Sequence, residues 1–145
     1  MSKTEIFYED IKPLKLNKTH LKNQVKNLIY SELRKIGDIT LIFCSDKYLL
    51  NIIVNYLNHN YYTDIITFNY VEGETISGDL FISIDRIKEN SKEFNTTFIK
   101  ELYRVIFHGI LHLIGFNDKT EEEQKKMRWK EDLYLSAVDF GGIEI

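Results

Sequence analysis

The spacing of apolar residues predicts that the first half of the chain alternates between amphipathic helices and short strands. Apolar side chains recur at intervals of three and four over residues 21–33 and again over residues 49–57, which is typical of helices that bury one face. Between them, residues 39–44 are mostly apolar or β-branched and predict a strand. Thr19 is expected to cap the first helix and Gly37 to follow its end.

The second half of the chain predicts a hairpin followed by a buried helix. Residues 64–70 and 78–84 favour extended structure and flank a turn at residues 72–74, so they are expected to pair. A short helix is expected over residues 85–94. A longer helix over residues 97–114 is apolar on nearly every side, which is typical of a central helix.

The two ends of the chain complete the predicted fold. A short strand is expected near residues 6–8, and Thr120 with Glu123 forms the capping-box pattern of a last helix that runs to about residue 134. We therefore predict an α+β fold in which a small mixed sheet of about four strands packs with about five helices. One domain is expected to span residues 1–145.

Composition and charge narrow the functional classes. The formal net charge of -3 argues against broad coating of nucleic acid, although a local basic groove remains possible because net charge averages over all faces. The single cysteine, Cys44, lies in an apolar run and is expected to be a small buried residue. The sequence shows neither an apolar run long enough to span a membrane nor a secretion-signal pattern. A cytoplasmic location is therefore expected.

Two histidines in the buried helix are the strongest chemical signal. His108 and His112 are four residues apart and therefore share one helix face, where their imidazoles can converge on one zinc ion. Gly115 can end the helix, and the chain can then bend back so that Asp118 reaches the same ion. Two histidines and a carboxylate form a catalytic zinc set with one open position. We predict one Zn²⁺ per chain, bound by His108, His112 and Asp118.

The histidines also have plainer interpretations. A single histidine on an apolar helix is usually a core residue that has found a hydrogen bond, but two on one buried face both need partners. His20 lies beside a helix start and is expected at the surface or in a cap. His59 precedes Asp64 in a loop, from which it could approach the metal site.

The spacing of the metal residues is similar to that of the metzincin proteases. Those enzymes place their general base, a glutamate, directly after the first histidine, and Gly109 occupies that position here. Glycine cannot accept a proton, which favours another reaction. A metalloprotease remains an alternative if Asp64, Asp79 or Glu101 supplies the base.

Several segments together resemble one family. Residues 108–118 match the signature H-G-x-L-H-L-x-G-[YF]-x-H of the YbeY family except at the last position. Residues 63–68 and 78–83 resemble that family's T-D-V-L-S-F and G-D-I-x-I-S strands, and residues 101–104 resemble its E-L-x-R. The resemblance extends over roughly residues 40–135, in the same order and spacing.

This resemblance implies a fold and an activity. The YbeY family comprises metal-dependent bacterial endoribonucleases, which implies a mixed sheet with a central metal-binding helix. It implies cleavage of single-stranded RNA during 16S rRNA 3′-end maturation and ribosome biogenesis. The implied partners are rRNA and the small ribosomal subunit, with neither DNA nor a membrane. His108 and Arg104 are the candidate catalytic residues.

Two positions depart from the family pattern. Asp118 replaces the third histidine; a carboxylate still binds zinc, but its negative charge is expected to make the metal a weaker Lewis acid. Leu57 stands where the family carries a loop arginine associated with RNA phosphate. A non-catalytic ribosome-associated factor with a structural metal is therefore a further alternative.

Arg104 has two possible roles. It precedes His108 by one helical turn on the same side, so it could face an RNA phosphate. It could instead pair with a structural carboxylate such as Glu101 or Asp79. Asp64 also has two possible roles, since it can orient a metal ligand or simply begin a strand.

Overall fold

The structure, a computed structural model, describes residues 2–57 and 63–141, with side chains at positions 2–55 and 63–141. Its strands are β1 (Thr4–Tyr8), β2 (Lys35–Cys44), β3 (Ile65–Asn69) and β4 (Thr75–Ser83). Its helices are α1 (Lys18–Ser31), α2 (Asp46–Ile52) with a π-helical continuation (Ile53–Leu57), α3 (Ile84–Glu93), α4 (Phe98–Ile114) and α5 (Glu121–Ser136). The predicted α+β fold is confirmed.

The strands form one mixed sheet in the order β1-β2-β4-β3. Strands β1, β2 and β4 are parallel, and β3 runs antiparallel to β4. The hairpin pairs Ile65 with Ile82 at one end and Asn69 with Gly78 at the other, which confirms the predicted pairing. The parallel pairs require helical crossovers, and α1 and α2 lie in those connections.

The sheet separates two apolar clusters of unequal size. The larger lies between the sheet and helices α1 and α4, where Leu41, Leu80 and Ile106 are completely buried. The smaller lies under α2 on the opposite face and includes Cys44 and Ile66. Because side chains alternate along a strand, β4 supplies apolar residues to both faces.

Helix α4 is the central helix of the domain. It contacts the sheet, α1, α3 and α5, and most of its side chains are buried. The Thr97 side chain accepts a hydrogen bond from the backbone N–H of Lys100 at its start, and Gly115 with φ of 122° follows its last residue. Burying each large aliphatic side chain stabilises the fold by about 1.5–3 kcal/mol. The packing of α4 therefore stabilises the domain more than the intrinsic helix propensity of its residues does.

Two glycines bring α4 close to the β3–β4 hairpin. A Cβ at Gly109 would lie 2.7 Å from Ile65 Cδ1 and 2.8 Å from Leu80 Cδ2. A Cβ at Gly78 would lie 2.8 Å from Leu113 Cδ1 of α4 and 2.7 Å from the carbonyl oxygen of Phe68 in β3, a backbone atom that cannot rotate away. Glycine at these two positions therefore allows α4 to pack against the hairpin more closely than any residue with a Cβ would.

Two predicted boundaries of α1 are wrong. The helix begins after Asn17, whose side chain accepts the N–H of His20, so Asn17 and not Thr19 is its cap. The helix ends at Ser31, and Gly37 lies inside β2 instead of following the helix. A Cβ at Gly37 would lie 3.0 Å from the Ile76 carbonyl oxygen, so close packing of β2 on β4 explains this glycine.

No helix in the described part of the chain combines the length and apolar character needed to cross a bilayer.

The first prediction concerns Gly78, against which both β3 and α4 pack closely. Gly78→Ala should lower the free energy of unfolding by about 1–3 kcal/mol, because its methyl group collides with the Phe68 carbonyl. Urea denaturation followed by circular dichroism measures this as a lower midpoint with an unchanged slope. Gly141→Ala, next to the exposed side chain of Asp139, is the matched control and should change stability by less than about 0.5 kcal/mol. An equal effect of both substitutions would contradict the packing argument.

Candidate metal centre

The candidate site lies along one edge of α4. Lys100, Arg104, His108 and His112 occur at intervals of four residues and form a continuous row on the helix. Both histidines are partly exposed, whereas their sequence neighbours in α4 are buried. The row therefore borders solvent in a helix that is otherwise covered.

The turn after α4 brings Asp118 back to the two histidines. The N–H of Gly115 donates to the carbonyl of Leu111, and so does the N–H of Phe116. The left-handed conformation of Gly115 ends the helix and reverses the chain. Two residues beyond Asp118, Thr120 caps α5 in the predicted capping box, so both ends of the short loop are fixed.

Three ligand atoms converge at this point. His108 Nε2 and His112 Nε2 are 3.0 Å apart, and Asp118 Oδ2 lies 3.3 Å from each of them. A tetrahedral zinc ion with bonds of 2.0–2.1 Å separates its ligands by about 3.3–3.4 Å. The triangle therefore has the dimensions of one face of a tetrahedral site, and these three residues could hold a metal ion.

The chemistry of the donor set also fits a cation. His108 Nδ1 lies 2.7 Å from a carboxylate oxygen of Glu131 and donates its hydrogen to it. In this tautomer Nε2 carries no hydrogen and presents a lone pair. That lone pair faces His112 and the Asp118 carboxylate, so the cluster holds more acceptors than protons. A positive ion satisfies such a group, and the histidine–carboxylate contact behind it is typical of metal sites.

Glu131 is a site residue that the sequence analysis missed. It is only 2% exposed, and its second oxygen accepts a hydrogen bond of 2.8 Å from Arg104 Nη1. The sequence did contain a signal: Glu131 follows the buried Met127 by one turn, so a charged residue occupies the buried side of α5. Such a carboxylate requires a buried partner.

These contacts shift the pKa values of both partners. Burial alone lowers the pKa of His108, but the hydrogen bond and charge of Glu131, with Asp118 and Asp64, outweigh burial and raise it. Burial alone raises the pKa of Glu131, but His108 and Arg104 outweigh it and hold that pKa below its usual range. The buried carboxylate is therefore ionised and acts as a fixed negative charge behind the imidazole.

Arg104 pairs with Glu101, one of the two carboxylates proposed for it. Arg104 Nε donates to Glu101 at 2.9 Å, and Glu101 is buried. Asp79 lies elsewhere, because its neighbours Gly78 and Leu80 face α4 and strand side chains alternate. The guanidinium thus links two buried carboxylates, Glu101 and Glu131, and its positive charge is matched by theirs.

The sequence also pointed to four residues outside the three proposed ligands and Arg104: Asp64, His20, His59 and Leu57. Asp64 is partly buried near His108 and Asn90; burial raises its pKa, and the positive charges of His108 and Arg104 offset only part of this. His20 is remote from the metal residues in sequence and binds the hydroxyl of Tyr103 at 2.7 Å. His59 and the side chain of Leu57 lie outside the described residues.

Gly109 does not face the candidate metal residues. Its missing side chain would point at Ile65 and Leu80 of the hairpin, on the side of α4 that packs against the sheet. A glutamate at this position could not enter the space without displacing the sheet. The metzincin general base is therefore excluded at this position twice: the residue is a glycine, and the fold leaves no room for a glutamate.

The second prediction tests Asp118 as a ligand. Asp118→Ala should lower the affinity for Zn²⁺ by more than the roughly 10–100-fold typical of a supporting residue, whereas Asp118→His should retain binding. Competition with a chromophoric chelator measures both. Wild-type affinity in Asp118→Ala would place the third ligand elsewhere.

The third prediction tests Glu131 as a supporting residue. Glu131→Gln removes the charge that orients His108 and should weaken Zn²⁺ binding by about 10–100-fold. Glu122→Gln, on the exposed side of the same helix, should leave it unchanged. Thermal unfolding monitored by circular dichroism confirms that the compared variants are folded. Equal metal affinity in the two variants would show that Glu131 does not act on the site.

Comparison with known proteins places the chain in a family. The sequence model of the family described as Endoribonuclease YbeY matches residues 6–139. A protein of Christiangramia forsetii with that name is 48% identical over 133 residues, 91% of this chain and 93% of the relative. One from Azobacteroides pseudotrichonymphae is 52% identical over 79% of this chain and 82% of its own length.

A solved structure agrees with these matches. The solution structure of a Thermotoga maritima protein superimposes with a TM-score of 0.70 at 28% identity, over 96% of this chain and 90% of that chain. Since the family model covers most of the chain and close relatives match nearly end to end, the chain belongs to the Endoribonuclease YbeY family.

Proposed function

We propose that this protein is a zinc-dependent endoribonuclease that cleaves single-stranded RNA. The observation that carries the proposal is the convergence of His108, His112 and Asp118 at 3.0–3.3 Å in a member of this family. Relatives with 48% and 52% identity carry the name Endoribonuclease YbeY, which supports hydrolysis of RNA as the reaction.

The proposed metal is a single zinc ion per chain. Two imidazoles and one carboxylate form a recurrent catalytic zinc set, and an oxygen-only set would be expected for magnesium or calcium. The arrangement leaves a fourth position open toward solvent. When bound there, the ion supplies positive charge that stabilises a phosphoryl oxygen and makes water a stronger nucleophile.

In this proposal the protein contributes orientation and charge. His108 and His112 present lone pairs from a rigid helix, and Asp118 closes the site from a loop fixed at both ends. Glu131 holds the His108 ring in the tautomer that leaves Nε2 free. For Arg104, the ion pairs with Glu101 and Glu131 support a positioning role: it keeps Glu131 ionised in a buried environment.

RNA is a better substrate class than peptide for these residues. Amide hydrolysis by a zinc enzyme depends on a general base beside the metal, and the corresponding position, Gly109, packs against the sheet. Phosphoryl transfer relies more on positioning and on charge stabilisation, which the candidate site can offer. A single strand can bend its phosphate into a cleft, whereas a duplex resists bending.

The biological setting is also a proposal. The family resemblance supports a role in 16S rRNA 3′-end maturation and ribosome biogenesis, with rRNA and the small ribosomal subunit as partners in the cytoplasm. We propose that residues 1–145 act as one domain, consistent with a family match over residues 6–139.

The fourth prediction is cleavage of an unstructured RNA but not of peptides. Purified protein with added zinc should degrade a labelled single-stranded RNA over time, and His108→Ala should abolish this activity because a metal ligand is lost. A peptide library incubated in parallel should remain intact. Lys22→Gln, on α1, is a control for nonspecific RNA effects and should retain cleavage. Peptide cleavage that requires His108, with RNA left intact, would instead establish a protease.

A further inference from the structure

The row of side chains that contains the metal ligands continues into a cavity. Lys100 and Arg104 precede His108 on the same edge of α4, and both line a cavity of about 640 Å³ between the start of α4 and the end of α5. With a rise of 1.5 Å per residue, Lys100 lies about 12 Å along the helix axis from His108. The cavity is therefore close enough to hold a neighbouring part of any chain bound at the metal residues.

Two positive charges in this cavity are not neutralised by an ion pair among the described residues, although the Lys100 ammonium lies 6.0 Å from the centre of the Phe140 ring. Within the part of the chain that the structure describes, no carboxylate lies within ion-pair distance of Lys100 or Arg128, which lines the cavity from α5. Arg104 differs, because Glu101 and Glu131 neutralise it. The exposed Asp132 stands on the same wall and subtracts from the positive potential.

An exposed aromatic ring lies in the same cavity, beside Arg104. Phe94 lines the cavity and is 58% exposed, although it is a large apolar side chain. The Arg104 guanidinium lies 5.9 Å from the centre of its ring, which holds the ring beside the row. Cations that track a backbone, combined with an exposed aromatic face on which a base can stack, are the means by which proteins bind single-stranded nucleic acids.

We propose that this cavity is a subsite for a nucleotide that flanks the scissile phosphodiester, which rests on the proposed endoribonuclease function. The base stacks on Phe94, and the adjacent phosphate lies between Lys100 and Arg128. The neutralised Arg104 forms the floor between this subsite and the metal residues. A protein that is acidic overall thereby binds an anionic polymer through two local charges.

The fifth prediction tests the charges by salt dependence. Fluorescence anisotropy of a labelled unstructured RNA, measured in chelator to prevent cleavage, gives the slope of log affinity against log salt. Lys100→Gln with Arg128→Gln should weaken binding and make that slope shallower by about 0.7, since the two cations hold one phosphate and each neutralised phosphate on a single strand contributes about 0.7. Asp132→Asn should strengthen binding because it removes an opposing charge.

A matched control separates the subsite from overall charge. Lys22→Gln with Lys26→Gln makes the same charge change on α1, in a different groove, and should leave the slope at the wild-type value. An unchanged slope in the Lys100/Arg128 variant, or an equal change in the control, overturns the proposal.

Base stacking is tested with an abasic substrate. Phe94→Ala should weaken binding of the intact RNA by roughly tenfold. It should have no effect on an RNA that lacks the bases on both sides of the cleavage position. Because Phe94 is largely exposed, its truncation should not unfold the protein, and thermal unfolding checks this. An equal loss with both RNAs would show that Phe94 does not stack on a base.

Failure of the subsite and failure of the proposed function give different results. If zinc-loaded wild-type protein cleaves RNA but the cavity variants bind and cleave like wild type, only the subsite is wrong. If wild-type protein does not cleave RNA at all, the proposed function is wrong, and the subsite proposal, which depends on it, is overturned with it.

Discussion

The buried carboxylate of Glu131 is the interaction on which the candidate site depends. It accepts hydrogen bonds from Arg104 and His108, two residues of α4, and so joins α5 to the central helix through charge. Burying a carboxylate is costly unless it is paired, and here each of its two oxygens accepts a hydrogen bond, one from Arg104 and one from His108. The ionised network Glu101–Arg104–Glu131–His108 therefore specifies both how α5 docks and which nitrogen of His108 faces the other ligands.

This network can be rigid because α4 is held closely on its other side. Gly78 and Gly109 let the helix pack directly on the hairpin, and the side chains around them are buried. One edge of α4 is thus fixed by apolar contact and the opposite edge by ion pairs. A ligand pair on such a helix keeps its spacing without help from the metal.

Local features of the sequence predicted much of this arrangement, and tertiary ones did not. The i, i+4 histidines, the glycine stop after α4 and the Thr120 capping box depend on nearby residues, and the structure contains all three. Gly37 was misinterpreted because its role lies in contact with Ile76, 39 residues away in a neighbouring strand. Glu131 was missed for the same reason: its partners His108 and Arg104 are on another helix, and nothing adjacent in sequence reveals them.

The position of Asp118 has a consequence for the folding of the domain. His108 and His112 belong to α4, whereas Asp118 belongs to the loop that leads into α5, so an ion bound by all three would tie that loop to the helix, in addition to the Glu131 contacts that join α5 to α4. Any ligand that binds the folded chain alone shifts the folding equilibrium toward it by mass action. Metal supply in the cell would then set the amount of intact protein as well as the fraction that can react. Scarcity of the ion would lower the amount of folded protein and its reactive fraction together, because both would depend on the short loop that carries Asp118.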